Sequence, residues 1–255
     1  MPLAIAYVSR VVVVFFATLA LAACSQYMGD NRHNVPLPPE LLQRMAEINS
    51  SPSYPMMIRL YKQTSTLEVW KRTSDGTYRL LKTYDICKWS GELGPKFREG
   101  DHQSPEGFYD VTPDLMNPNS SYWLSFNVGF PNKFDQAWER TGTNLMIHGD
   151  CLSVGCYAMT DDGIKEIFAL ARETFRGGNR SFQLQLLPFP MTEANIQANA
   201  SSPHVDFWRN LKEGADIFDN TGIPPTWDVC ERRYVFNVND PRVSPLDPLG
   251  PCPIS

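Results

Sequence analysis

"MMIRLYK" at residues 56–62, "TLEVWKR" at 66–72 and "YRLLKTYDIC" at 78–87 decide the fold. All three runs are rich in β-branched and aromatic residues with partial alternation, the pattern of strands with a buried face. "TSDGT" at 73–77 separates the second from the third, and its Asp-Gly pair tolerates the positive φ angles of a tight hairpin turn. The reading is an antiparallel β-meander. Further strands follow at Phe108–Val111, in "YWLSFNVGFPN" (122–132) leading into a loop, in "TNLMIHG" (143–149), and in "SFQLQLLPF" (181–189), where Phe182, Leu184 and Leu186 alternate. The one strong helix signal comes late. Thr160, Asp161 or Asp162 can cap a helix whose Ile164, Ile167, Phe168, Ala171 and Phe175 recur at three and four, with Gly177 and Gly178 to stop it. This predicts a mainly β, sandwich- or barrel-like domain over 53–190 with a few helices.

The flanks differ. "LPPELLQRMAEI" (37–48) reads as a short helix with Pro39 in its first turn, where a missing N–H costs nothing. Beyond residue 190, Phe207, Trp208 and Leu211 fall at helical spacing and "RRYVFNV" (232–238) reads as a strand before a Pro-rich tail. Residues 191–255 are therefore expected to form an appended α+β subdomain, placed to cap one side of a groove. The net charge of −5 and the absence of a Lys/Arg-rich run exclude nucleic acid as a partner, since phosphate neutralisation needs clustered cations.

At the N-terminus Arg10 precedes an apolar run, Val11–Ala20, too short for the roughly 20 residues of a membrane span but suited to a signal peptide. Leu21, Ala22, Ala23 and Cys24 resemble a bacterial lipobox, which implies a signal peptide over 1–23 and a lipid on Cys24. Residues 24–52 would then be the tether and short helix. Ser25 in place of Asp favours the outer membrane, so the expected location is the periplasm, with the membrane as partner through the N-terminal lipid. In that oxidising compartment the remaining cysteines, Cys87, Cys151, Cys156, Cys230 and Cys252, are an odd set that leaves one thiol free.

"MIHGDCLSVGCYAMTDD" (146–162) gathers His148, Cys151 and Cys156. Three readings compete. Zinc would take these three as ligands but lacks a second close pair to complete about four. A structural reading pairs Cys151 with Cys156 or buries both. In the third, an imidazole takes the proton of a cysteine nucleophile, and a glycine before the thiol lets backbone N–H groups face a developing oxyanion.

"IHG" at 147–149 followed by "SVGC" at 153–156 resembles the signature of L,D-transpeptidases with the YkuD-type catalytic domain, in which a His-Gly pair precedes Ser/Thr-His-Gly-Cys. "SPEGFYDV" (104–111) is similar to that family's TPxGxF motif, and together with "CKWSGELGPKFREGD" (87–101) it resembles the YafK-like branch, which shares the short loop between histidine and cysteine. The resemblance covers roughly residues 55–235. It implies Cys156 as nucleophile, His148 as general base, the Gly149 carbonyl as orienter of the imidazole, and the backbone N–H groups of Gly155 and Cys156 as the oxyanion hole, with no cofactor and no metal.

The implied substrate is a peptidoglycan stem peptide, attacked at meso-diaminopimelate to give a thioester. A second diaminopimelate amine would make a 3–3 cross-link, a lysine amine would attach a lipoprotein, and water would make the enzyme a hydrolase. The YafK-like branch implies the last, detaching an outer-membrane lipoprotein by cutting the diaminopimelate–lysine bond. Val154 stands where most of the family has a second histidine, which ranks hydrolysis above transpeptidation. A peptidoglycan-binding envelope lipoprotein without catalysis is the reading from another class.

Lys96 and Arg98, in a Gly/Pro-rich loop, are expected to meet substrate carboxylates, and Tyr157 to line the site. Asp161 and Asp162 suit a helix N-terminus, His102 is a rival base, and His33 and His204 are expected at the surface. Cys151 is a disulfide candidate with Cys87, beside Cys230–Cys252, which would leave Cys156 free; Cys87–Cys230 stays open, because spacing does not fix connectivity.

Overall fold

β1 (Met56–Tyr61) is buried at every position, although it carries an arginine. The cause is its place in the sheet: it pairs antiparallel with β2 (Thr66–Arg72) and parallel with β9 (Phe182–Leu187), and both of its faces are covered. A strand covered on both faces reads as a continuous apolar run rather than an alternation. β2, by contrast, alternates buried and half-buried residues along its length. The computed structural model describes residues 31–238 and 245–253; the expected signal peptide (1–23) and lipidated Cys24 lie outside the described residues.

β3 (Tyr78–Lys88) completes the meander, and β4 (Gly107–Val111), β5 (Met116–Asn117), β6 (Ser125–Asn127), β7 (Met146–His148) and β8 (Tyr157–Met159) extend it to a curled nine-stranded sheet ordered β4-β9-β1-β2-β3-β8-β7-β6-β5. Among the described residues the α-helices are α1 (Pro39–Glu47), α2 (Lys133–Ala137), α3 (Asp161–Arg176), α4 (Glu193–Ala198) and α5 (Val205–Thr221), and a separate hairpin pairs β10 (Trp227–Cys230) with β11 (Arg233–Phe236). The expectation of a mainly β domain with few helices holds.

One face of the sheet packs Ile58, Leu60, Val69 and Leu184 against Leu41 and Met45 of α1 and Ile164, Ile167 and Phe168 of α3. α3 begins at Thr160, whose hydroxyl accepts from Gly163 N–H at 3.0 Å, and ends at Gly177. The other face buries Tyr61, Phe108 and Leu187 with Trp208, Leu211 and Ala215 of α5 and Val229 and Tyr234 of the hairpin. The C-terminal elements thus share a core with β1, β4 and β9.

Among the elements the sequence did not announce are β8 and α2, and β6 is shorter than expected. β8 follows the thiol directly and is only three residues long. α2 is one turn and a half, too short for periodicity to register, and forms because Asn132 and Asp135 make a reciprocal capping box. Within "YWLSFNVGFPN" only Ser125–Asn127 pairs as strand.

A buried ion pair ties the layers together where β1 ends. Lys62 Nζ lies 3.0 Å from Glu106 Oε1, both fully buried, and also donates to Gly94 O at 2.8 Å. Glu106 accepts from Trp208 Nε1 of α5 and from Gly94 N–H, each at 2.8 Å. Burial pushes the Lys62 ammonium pKa down while Glu106 pulls it back up. Removing one partner of such a pair strands the other charge, at a cost of about 3–5 kcal/mol, whereas replacing both with apolar residues costs far less. In urea unfolding, Glu106→Ala is expected to lose stability of that order, and the double variant Lys62→Met/Glu106→Leu to recover part of it.

Candidate active site

β7 and β8 run parallel, with Ile147 opposite Tyr157 and His148 opposite Ala158. Cys156 stands one residue before β8, next to Met146, which is two residues from His148 along β7. The Met146 N–H donates to Cys156 Sγ at 3.3 Å, and the thiol donates to Asn144 O at 3.5 Å.

His148 is buried in mid-sheet, opposite Ser125 of β6. Its Nδ1 lies 2.5 Å from Gly149 O, which fixes that nitrogen as the N–H donor and leaves Nε2 as the acceptor. Tyr122 lies against the ring, centroids 4.8 Å apart. Gly149 has no room for a side chain: a Cβ would meet Asp161 Oδ1 at 2.6 Å and Tyr122 O at 3.0 Å. Asp161 Oδ1 accepts from Asp150 N–H at 2.9 Å, holding the turn that follows.

Residues 149–156 link two adjacent parallel strands, a junction that ordinarily takes about a dozen residues or more. The short path requires unusual backbone. Asp150 (φ 67°), Cys151 (φ 31°) and Gly155 (φ 106°) all lie at positive φ. Cys151 is tied to Cys87 at the end of β3, with Cα atoms 5.1 Å apart. Cys230 pairs with Cys252, Cα atoms 5.2 Å apart, and Cys156 is the free thiol among the described cysteines. With Cys151 in a disulfide, the three-ligand zinc reading loses a ligand, and among the described residues no group of three or more His, Cys, Asp or Glu could hold a metal.

Two serines that the sequence reading passed over hold the carbonyl of Cys156. Ser153 Oγ and Ser104 Oγ donate to it at 2.7 and 2.9 Å. Ser90 completes the set, its N–H donating to Ser104 Oγ at 3.0 Å and its hydroxyl 2.8 Å from that of Ser153. Ser104 and Ser153 open the two quoted motifs, but nothing in the motifs assigns them a role, because the serines converge only when the 90–104 loop folds over β8.

The other expected site residues separate. Tyr157 is fully buried, its hydroxyl donating to Pro105 O at 2.6 Å, so it does not line the site. It follows the thiol by one residue, which in a strand sends it to the opposite face. Lys96 is also buried rather than offered to solvent, paired with Asp101 at 2.5 Å and donating to Arg98 O at 2.9 Å. Arg98 and His102 are exposed on the same loop. His204 is not a free surface residue, being half-buried between Phe97 and Trp208. Leu152 and Val154 are 62% and 73% exposed and give the site an apolar rim.

Burial pushes the Cys156 thiol up in pKa, against the Met146 N–H and the Lys96 charge, which pull it down. Burial also pushes the His148 imidazole down, opposed by its bond to Gly149 and by Asp150. The resting pair at neutral pH is thus thiol and neutral imidazole, not thiolate and imidazolium. Alkylation of the native protein by iodoacetamide should therefore keep accelerating with pH through a midpoint above the ordinary thiol value of about 8.5. A rate already level between pH 5 and 8 would contradict this, and Cys156→Ser should abolish labelling.

No family model matches the sequence. The chain is 43% identical over 210 residues, covering 82% of each chain, to the Escherichia coli K12 protein named "Putative L,D-transpeptidase YafK", and equally to its counterpart in strain O157:H7. Among solved structures it is similar to the helical cell shape determining protein Pgp2 from Campylobacter jejuni (21% identity, 58% of this chain and 55% of that one, TM-score 0.42). It is also similar to Bdellovibrio bacteriovorus Bd1075 (19% identity, 68% and 59%, TM-score 0.39). The chain spans little more than half the length of these solved chains. With 43% identity sustained over 82% of both chains, it belongs to the L,D-transpeptidase family, alongside YafK.

Proposed function

We propose that the protein is a periplasmic cysteine amidase that acts on peptidoglycan stem peptides at meso-diaminopimelate and releases an outer-membrane lipoprotein by hydrolysing the diaminopimelate–lysine bond. The observation that carries this reading is the β7–β8 pairing, which brings the free thiol among the described cysteines and a buried imidazole to neighbouring positions. Family membership supports the substrate class, and the apolar, exposed Val154 at the rim favours water over a docked amine acceptor. In this proposal residues 53–190 carry the chemistry, 191–255 brace one side of it, and a lipid on Cys24 tethers the chain to the outer membrane.

The geometry suggests these steps. His148 Nε2 takes the Cys156 thiol proton as sulfur attacks the amide carbonyl carbon. The oxyanion is met by the backbone N–H groups of Gly155 and Cys156, where the positive φ of Gly155 turns the chain. Collapse breaks the C–N bond, and the leaving lysine amine takes the proton back from His148. A water then gives a proton to the same nitrogen, adds to the thioester, and releases the diaminopimelate carboxylate and the thiol.

Lipoprotein-linked muropeptides incubated with the purified protein should release a lysine-bearing peptide, read by mass spectrometry. Cys156→Ala should release none, and His148→Ala should be slower by roughly 10²–10⁴-fold. Cleavage that persists in Cys156→Ala overturns the reading, and joined rather than released products would favour transpeptidation. Because His148 must be neutral to act, the acid limb of kcat/KM should fall below about pH 6.5, the ordinary imidazole value.

A further inference from the structure

A cavity of about 580 Å³ lies one stretch of chain away from Cys156. Phe97 and Trp138, each about half exposed (53% and 50%), stand at its rim, Phe207 of α5 adds a third aromatic, and Arg140 is buried at its base. The two sites share residues 140–144: Arg140 lines the cavity, and Asn144 O accepts the Cys156 thiol. Four extended residues reach at most about 14 Å. On the other side Pro95 and Phe97 line the cavity while Lys96 between them turns inward to Asp101.

The charges at this cavity are not balanced. The Arg140 guanidinium lies against the rings of Phe134, Phe207 and Phe97, at 5.0, 5.3 and 5.5 Å from their centroids. It donates Nη1 to Asp135 at 2.8 Å, while its buried Nε has no hydrogen-bond partner, an arrangement proteins rarely leave without a ligand or water. Arg232 lies over Trp138 at 5.6 Å and makes no ion pair among the described residues. The nearby carboxylates are already engaged: Asp135 by Arg140, Tyr109 and Asn132, Glu213 by Arg233, and Asp206 by Arg209 at 3.6 Å. Arginines held on aromatic faces suit a planar carboxylate with apolar carbons beside it.

We propose that this cavity binds a carboxylate-bearing arm of the peptide whose amide is attacked at Cys156. Arg232 and Arg140 take the carboxylate, and Phe97, Trp138 and Phe207 take the adjoining apolar carbons. The assignment rests on the reading of Cys156 as nucleophile on a peptide substrate. Two sources carry the same chemistry: the terminal carboxylate of the leaving lysine peptide, and a carboxylate of the stem peptide that stays on sulfur.

Calorimetric titration of the full chain bearing Cys156→Ala, which leaves its ligands uncut, separates them. The probes are a short lysine-terminated peptide and a diaminopimelate stem tripeptide, each as free acid and as carboxamide. One free acid should bind at least tenfold more tightly than its amide, and which one does so names the source. Arg232→Ala and Phe97→Ala, at exposed positions and checked by their melting curves, should each cut that advantage below threefold. Equal affinity of acid and amide for both peptides overturns the assignment, as does an advantage that survives in Arg232→Ala. Trp138-dependent binding of an N-acetylglucosamine tetramer in place of the peptides would overturn it too, in favour of a sugar site. Cleavage by the intact protein without a carboxylate preference sinks only the cavity assignment, and a carboxylate preference without cleavage sinks only the amidase reading.

Discussion

The parallel pairing of β7 with β8 is the constraint on which the candidate site depends. It fixes the relation of His148 to the residue that follows Cys156 through backbone pairing, so the nearness of the two groups does not depend on their protonation. The cost falls on residues 149–156, which join parallel neighbours by an unusually short path through several positive-φ positions. That strain persists because the loop is fastened at both ends. Asp161 and Gly149 hold its start, the Cys87–Cys151 bond anchors its middle to β3, and Ser104 and Ser153 grip its last carbonyl.

The chemistry follows from burial. A half-buried thiol and a buried imidazole each prefer their neutral forms. Such a pair stores no thiolate and develops charge only as the proton moves. Met146 N–H, aimed at sulfur, and the buried Lys96 nearby are fixed positive ends that favour the thiolate when it forms. Lys96 therefore acts on the thiol through its charge, and its ion pair with Asp101 holds it in place.

Much of this was legible in the sequence, for reasons that can be named. β2 alternates because one of its faces is less covered, and α3 announces itself with sixteen residues, a Thr cap and a glycine stop. The odd cysteine count pointed to a free thiol, and the structure leaves Cys156 in that role. Tyr157 misled because adjacency in sequence suggests adjacency in a site, whereas in a strand it means the opposite face. Ser104, Ser153 and Tyr122 stand in stretches read for other reasons, and their roles were illegible because they meet the site from separate loops. The crossover that lays β9 parallel to β1 is a matter of topology, which periodicity does not encode.

The C-terminal elements reach the nucleophile through a continuous series of contacts. Trp208 of α5 donates to Glu106, and Glu106 faces Lys62 at the end of β1 and holds Gly94 N–H. Next to Glu106 in the chain, Pro105 O accepts the hydroxyl of Tyr157 and Ser104 Oγ holds the carbonyl of Cys156. Residues 104–106 thus have one end in the α5 core and the other on the thiol's own peptide group. A three-residue segment fixed this way transmits displacement instead of absorbing it, since close-packed interiors deform little. Loosening α5 would therefore be felt at Cys156 before the sheet itself gave way.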